Sequence, residues 1–294
     1  MLGGTVTEFV KTSCLEIGYE RWGPPDGPVV VLAHGWPDDV HCWDEVTPAL
    51  TEAGCRVLAP YLRGFGPTRF LEDDRPRSGQ IGALGHDLAE FIERLDLRDV
   101  VVSGHDWGAR AAYVVGAVFP ERLRGLVAMS AGYAASGPDQ EISFPLARAY
   151  WYEWFVATRR GRETFDRDRR RICRYLWESW SPGWRFDNEA FERSAAAWDN
   201  PDWHAITVHA YLQRWGEAAG DPAYDDLEDR LAHRPPITVP SIVLHGGRDA
   251  DNLPETTEGK ESLFTAGYER NVLPGIGHAL PREAPRRSPR PPSA

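Results

Sequence analysis

The chain has 294 residues, of which 42% are hydrophobic and 26% charged, a composition that excludes a disordered or fibrous protein. Its 44 acidic residues against 33 basic ones give a formal net charge of -11, which argues against a nucleic-acid-binding surface. The count of 12 tryptophans is high, and rings of this size predict a thick core or an aromatic-lined pocket.

The sequence carries no targeting signal that we can identify. No apolar run approaches the roughly 20 residues of a membrane-spanning helix, and Met1–Lys11 lacks the basic start and apolar stretch of a signal peptide. The cysteines Cys14, Cys42, Cys55 and Cys173 are scattered without metal-ligand spacing. We therefore expect a cytoplasmic protein with reduced thiols, no membrane association, no metal and no organic cofactor.

Strand and helix patterns alternate through the first part of the chain. This alternation predicts βαβ units, and hence an α/β fold with a mostly parallel sheet flanked by helices. The predicted strands are two within Thr5–Trp22, then Val29–Ala33, Arg56–Pro60, Asp99–Ser103 and Leu123–Ser130. The predicted helices are Cys42–Ala53, Gln80–Leu95 and Trp107–Val118.

The alternation stops near Gly137. Residues 137–225 are helical in pattern and rich in Trp and Arg, and strands return at Ser241–His245 and Arg270–Leu273. We therefore predict a core domain made of residues 1–136 and 226–280, interrupted by a helical insertion at 137–225. Residues 281–294 form a tail rich in Pro and Arg, for which we expect neither helix nor fixed structure.

A strand followed by Gly104-His-Asp-Trp-Gly108 is the pattern of a nucleophile elbow, a sharp turn that exposes one side chain before a helix. The exposed residue here is Asp106. Its carboxylate is already ionised at neutral pH, so it can attack an sp³ carbon and form an alkyl ester. The alternative interpretation of this pentapeptide alone is an aspartate that caps the following helix.

Three further sites follow predicted strands. The loop His34-Gly-Trp-Pro37 comes after Val29–Ala33, and we assign an oxyanion hole to the backbone amides of Trp36 and Trp107, with a cis bond before Pro37. Asp249 and His278 follow the two returning strands. Their order along the chain, nucleophile, acid and then histidine, is that of α/β-hydrolases, with His278 as the general base.

These motifs resemble the α/β-hydrolase superfamily, and within it the branch of epoxide hydrolases and haloalkane dehalogenases, over Thr5–His278. The resemblance implies that the helical insertion is a cap over the site. In epoxide hydrolases two cap tyrosines protonate the oxirane oxygen, and the sequences around Tyr152 and Tyr211 resemble those motifs. The residues expected to line the substrate site are His34, Pro37, Trp151 and Trp154. The implied function is hydrolysis of a small epoxide to a vicinal diol.

Two alternatives stay open at this point. Haloalkane or haloacid dehalogenases share the triad, although Trp36 stands where the former commonly carry Asn, and Trp107 where fluoroacetate dehalogenases carry Arg. Arg110 lies one helical turn on from Asp106, which keeps acid substrates open, but we expect it to pair with a neighbouring side chain. The second alternative is a non-catalytic binding protein. This fold usually ends in a long helix that packs on the sheet, but no such helix is predicted after Pro281. The sheet face that the missing helix would leave open could be covered by a second copy of the chain in a homodimer.

Overall fold

The computed structural model describes residues 7–135 and 140–287. One sheet runs through these residues in the strand order β1-β2-β4-β3-β6-β7-β8-β9, with the short β5 paired to β2. Pairing is antiparallel where β2 meets β1 and β4, and parallel from β4 to β9. The strands are β1 Glu8–Lys11, β2 Leu15–Trp22, β3 Val29–Ala33, β4 Arg56–Pro60, β5 Arg69–Phe70, β6 Val100–His105, β7 Leu123–Met129, β8 Ser241–Gly246 and β9 Tyr268–Leu273.

Helices flank this sheet and fill the insertion between β7 and β8. Those that belong to the sheet domain are α1 Thr47–Glu52, α2 Ile81–Arg94, α3 Trp107–Val118, α10 Asp225–Ala232 and α11 Leu280–Glu283. The insertion contributes α4 Phe144–Ala149, α5 Trp151–Ala157, α6 Arg159–Arg167, α7 Arg169–Trp180, α8 Asn188–Ala195 and α9 Trp203–Arg214. Within the described part of the chain, no helix is long and apolar enough to cross a membrane.

The middle of the sheet is the core of the molecule. Strand β6 is buried along its whole length, and only the first residue of β3 is partly exposed. β3 is a continuous apolar run and β6 begins with three valines, as expected for strands covered by helices on both faces. The α/β fold with a mostly parallel sheet is therefore confirmed. The parallel strands all end at one edge, and the loops that leave this edge after β3, β6, β8 and β9 carry the candidate site residues.

Two sequence-based boundaries lie partly outside the described residues. The expected start of the insertion near Gly137 falls in the undescribed segment 136–139, and Thr5 and Val6 precede the first described residue. The region predicted as one helix at Cys42–Ala53 is instead a 3-10 turn at Val40–Trp43 followed by α1. Pro48 explains the division, because proline fits the first turn of a helix but has no amide hydrogen to continue one.

The expectation that no helix follows Leu280 is wrong for the first residues of the tail. Pro281 lies in the first turn of α11, where its missing amide hydrogen costs nothing, and a 3-10 turn follows at Pro285–Arg287. The side chain of Arg282 is 11% exposed. It donates to both carboxylate oxygens of Asp38 at 2.7 and 2.9 Å and to Ser194 in the insertion. The remainder of the predicted tail, residues 288–294, lies outside the described residues.

Candidate active site

Asp106 occupies a strained turn between β6 and α3. Its backbone has φ 50° and ψ -112°, a region that residues with a side chain rarely adopt. The glycines on either side allow the turn to close. A Cβ on Gly104 would lie 2.2 Å from the carbonyl oxygen of Gly108, and a Cβ on Gly108 would lie 2.0 Å from that of Ala33. This geometry is that of a nucleophile elbow.

Two donors hold the carboxylate of Asp106. The backbone amide of Trp36 donates to Oδ1 at 3.0 Å, and the side-chain amide of Asn252 donates to Oδ2 at 3.3 Å. The peptide bond before Pro37 is cis, as the sequence predicted. Trp107, the other expected oxyanion donor, begins α3 directly after the nucleophile. The first amides of a helix have no acceptor within the helix and are free to bind a developing negative charge.

His278 and Asp249 form a buried pair next to the nucleophile. Nδ1 of His278 lies 3.1 and 3.0 Å from the two carboxylate oxygens of Asp249. Burial alone would lower the pKa of His278, but Asp249, Asp251 and Asp106 together raise it to about 10. Burial alone would raise the pKa of Asp249, whereas His278 and His245 bring it down to about 2. The pair therefore carries opposite charges at neutral pH.

The cap holds the loop that carries the histidine. The carbonyl oxygen of Trp180, at the end of α7, accepts from the amides of His278 and Ala250, both at 3.2 Å. On the sheet side, the carbonyl oxygen of His278 lies 2.8 Å from Nε2 of His105 and accepts from Ser130 at 3.0 Å. His278, the predicted base, is thus fixed from the cap and from the sheet, as a preorganised catalytic group requires.

The two predicted cap tyrosines meet over the nucleophile loop. The ring of Trp36 stacks on Tyr152 with centroids 5.6 Å apart and meets Tyr211 edge-on at 5.2 Å. The two tyrosine rings lie 5.3 Å apart, and the Tyr152 hydroxyl donates to Glu153 at 3.1 Å. Burial, reinforced by nearby carboxylates that include Asp106, raises the pKa of both tyrosines well above the ordinary value. Both phenols therefore stay protonated and able to donate.

Three residues predicted to line the substrate site lie elsewhere. His34 is fully buried, and its ring nitrogens are occupied by the carbonyl oxygen of Gly35 and the amide of Leu62, so it supports the loop instead. Trp151 and Trp154 are 38% and 36% exposed on the cap. Position along α5 explains this result, because Tyr152 faces inward and its neighbours on a helix point in other directions.

The structure also places two residues in the site that were not predicted to lie there, Asp251 and Asn252. Asp251 and Asn252 follow the catalytic acid by two and three positions, and both are buried beside Asp106. The Oδ1 atom of Asn252 accepts from the hydroxyl of Tyr150 at 2.7 Å and from Arg110 at 3.1 Å. The expectation that Arg110 pairs with a neighbour is therefore confirmed. A second Asp two positions after the strand-end Asp249 was the available signal for this cluster.

Comparison with known proteins agrees with this geometry. The family model described as the alpha/beta hydrolase fold matches residues 28–281. The chain belongs to the α/β-hydrolase family. Epoxide hydrolase A of Mycobacterium tuberculosis is 32% identical to this α/β-hydrolase in an alignment that covers 97% of this chain and 95% of the relative. The predicted resemblance to the epoxide hydrolase branch is therefore confirmed.

Further relatives carry the same description. A solved structure of a candidate epoxide hydrolase from Klebsiella pneumoniae has a TM-score of 0.90 and 38% identity, covering 95% of this α/β-hydrolase and 93% of that chain. Pig bifunctional epoxide hydrolase 2 is 33% identical over 113 residues, 38% of this chain. The match spans only 20% of the length of that larger relative, so its further activities have no bearing here.

Proposed function

We propose that this α/β-hydrolase opens a small epoxide to a vicinal diol through an ester on Asp106. The observation that carries the proposal is the position of a carboxylate nucleophile beneath two protonated cap tyrosines. Trp36 connects these groups, because its amide holds Asp106 and its ring contacts both Tyr152 and Tyr211. A carboxylate can attack carbon, and phenols can protonate the oxygen that leaves it.

The first half of the reaction forms the ester. Asp106 attacks one oxirane carbon, the carbon–oxygen bond on the far side breaks, and Tyr152 or Tyr211 donates a proton to the departing oxygen. Both phenols hold their proton at neutral pH, as a proton donor must before it can donate. The hydroxyl that forms remains on the substrate, which is now linked to Asp106 as a hydroxyalkyl ester.

The second half hydrolyses the ester. Esterification removes the negative charge of Asp106, one of the charges that raise the pKa of His278, and so favours the neutral imidazole that can act as a base. His278 then takes a proton from water, which attacks the carboxyl carbon of Asp106. The amides of Trp36 and Trp107 stabilise the oxyanion, each by roughly 3 kcal/mol. Collapse of the oxyanion expels the substrate oxygen, which takes the proton from His278 and leaves as the diol. The proton left on the carboxyl group of Asp106 returns to the phenolate formed in the first half, which restores the starting state.

The alternative reaction, release of a halide from a haloalkane or haloacid, uses the same triad. The indole nitrogen of Trp36 donates to the hydroxyl of Thr207 at 3.0 Å and is not free to bind a halide, which leaves the indole of Trp107 as the candidate halide donor in that reaction. The non-catalytic alternative is disfavoured by the pairing of His278 with Asp249. The cytoplasmic location and the homodimer remain predictions.

The decisive variant is His278→Gln, which should form the ester but hydrolyse it slowly. With styrene oxide and other reactive epoxides, we expect intact-protein mass to rise by one substrate molecule, with the adduct on the peptide that contains Asp106. EDTA should leave this result unchanged, since the attacking group is a carboxylate. Absence of an adduct with every epoxide, together with halide release from haloalkanes by the unmodified protein, would replace this proposal with dehalogenation.

A further inference from the structure

Asp251 is a buried carboxyl group in the site that the reaction above does not use. It is 1% exposed and lies in the loop after β8, two residues beyond the catalytic acid Asp249. Asp106, Asp251 and His278 each bring one ligand atom to within 4.8 Å of the other two. Three ligand atoms this close together could also bind a metal ion. In the proposed reaction they surround the carboxyl carbon of Asp106, which water attacks.

The structure orients Asp251 firmly. Its backbone amide donates to Oδ1 of Asp249 at 2.9 Å. The side-chain amide of Asn252 donates to Oδ2 of Asp251 at 3.1 Å and to Oδ2 of Asp106 at 3.3 Å, so that one amide nitrogen links the two carboxyl groups. The carboxyl group of Asp251 is therefore fixed relative to Asp106. Its Oδ2 accepts a hydrogen bond, and its Oδ1 has no partner among the described residues.

Two buried polar atoms of this cluster have no partner among the described residues, namely Oδ1 of Asp251 and Nε2 of His278. A buried acceptor without a hydrogen bond is costly, and such atoms usually bind water or a reacting group. Nε2 of His278 is the base in the proposed hydrolysis, since Nδ1 is held by Asp249. Oδ2 of Asp251 lies 4.0 Å from Nδ1 of His278, so the unpartnered Oδ1 belongs to a carboxyl group directly beside the imidazole.

We propose that Asp251 is a catalytic residue of the second half-reaction, which binds the hydrolytic water together with His278. This inference rests on the proposed function. A water that gives one proton to His278 needs an acceptor for its other hydrogen, and Oδ1 of Asp251 supplies it. The oxygen of that water bonds to the carboxyl carbon of Asp106, its first proton goes to Nε2 of His278, and its second stays on the new carboxyl oxygen until the oxyanion collapses.

The electrostatics of the pocket agree with this timing. Burial raises the pKa of Asp251 well above its ordinary value, His278 opposes the shift, and the charge of Asp106 adds to it. In the free enzyme the charge of Asp106 therefore works against ionisation of Asp251. Once Asp106 is esterified its charge is gone, and Asp251 becomes a better acceptor at the step where the water must be held.

The test uses Asp251→Asn, which keeps the size of the side chain. Its carbonyl oxygen can accept from Asn252 in place of Oδ2, which puts an NH2 donor where the free acceptor was. With styrene oxide in single-turnover stopped-flow experiments, we expect ester formation within about threefold of the unmodified protein. Ester hydrolysis should slow by about tenfold or more, so that the Asp106 adduct accumulates and is visible by mass.

Asp251→Val lacks the acceptor altogether and should show the same split between the two steps. Asp226→Val, at an exposed position of α10, is the matched control and should hydrolyse the ester normally. Thermal melts establish which variants are folded. A folded variant of Asp251 that hydrolyses the ester at the unmodified rate, or that slows both steps equally, would overturn the inference. Failure of His278→Gln to trap any ester would instead overturn the proposed function.

Discussion

The backbone amide of Trp36 donates to Oδ1 of Asp106 at 3.0 Å, so in the proposed reaction one donor serves the nucleophile both before and after attack. In the free enzyme it orients the carboxylate, and during hydrolysis it faces the oxyanion that forms on the same carboxyl group. Little rearrangement is needed between the two states, which is the condition under which such donors stabilise a transition state most strongly. The ring of the same residue supports the cap tyrosines.

The strained backbone at Asp106 should lower the stability of the protein for any residue with a side chain at this position. Asp106→Gly and Asp106→Ala both remove the carboxylate, but only glycine accepts φ 50° and ψ -112° without steric cost. We expect the glycine variant to unfold with a free energy about 1 kcal/mol higher than that of the alanine variant, and both to form no ester. Chemical denaturation measures the difference. Equal stability of the two variants would show that the turn is not strained.

The two cap tyrosines should act in the first half-reaction only. Tyr152→Phe and Tyr211→Phe each remove a proton donor, and we expect each to slow ester formation from an epoxide by about a hundredfold. Hydrolysis of an ester already formed should change little. Rapid-quench measurement of the two steps separates these effects, and Tyr175→Phe, at a side chain 55% exposed on the cap, is the control. Unchanged ester formation in both variants would remove the tyrosines from the mechanism.

The buried ion pair between Arg282 and Asp38 should hold the end of the chain in place. Arg282→Met leaves the Asp38 carboxylate buried without its partner, which should lower the free energy of unfolding by about 3 kcal/mol. Arg286→Met alters an exposed arginine of the same segment and should have almost no effect. Denaturant titration of the two variants compares them directly. A similar small change in both would mean that this segment contributes nothing to stability.

Stability should depend on pH through His278. Its pKa is about 10 in the folded protein and about 6.5 in an unfolded chain, so the folded state binds the extra proton between these values. The stabilisation is complete below the lower pKa and is lost as pH rises through the higher one. Between them the free energy of unfolding should fall, relative to His278→Gln, by about 1.4 kcal/mol per pH unit. Parallel pH profiles for the two proteins would contradict this assignment.

Local patterns in the sequence were enough to predict the fold and to select Asp106, Asp249 and His278, which the structure brings together. The apolar run of Val29–Ala33 and the flanking glycines of Asp106 act through their immediate neighbours, and such features are readable without knowledge of tertiary contacts. Arg282 was missed for the opposite reason. Its partner Asp38 is 244 positions away, and a Pro-rich and Arg-rich composition gives no sign of a buried ion pair.

The roles of the remaining site residues depend on orientation. His34 and Trp154 were predicted to lie in the site because they neighbour the candidate catalytic motifs. In the structure the ring of His34 accepts from the amide of Leu62, and Trp154 is exposed on the cap. Asp251 and Asn252 were overlooked because the loop after β8 reverses direction within a few residues and returns them to Asp106. The positions of Asp251 and Asn252 could not be predicted from hydrophobic periodicity, because loops have no regular repeat of apolar residues.

The central claim, that the carboxylate of Asp106 is the nucleophile, is tested most directly by oxygen isotopes. A single turnover with enzyme in excess over styrene oxide, run in oxygen-18 water, separates attack by Asp106 from direct attack by water. We expect a diol without the heavy isotope and an Asp106-containing peptide that has gained one heavy oxygen. A labelled diol together with an unlabelled peptide would contradict it.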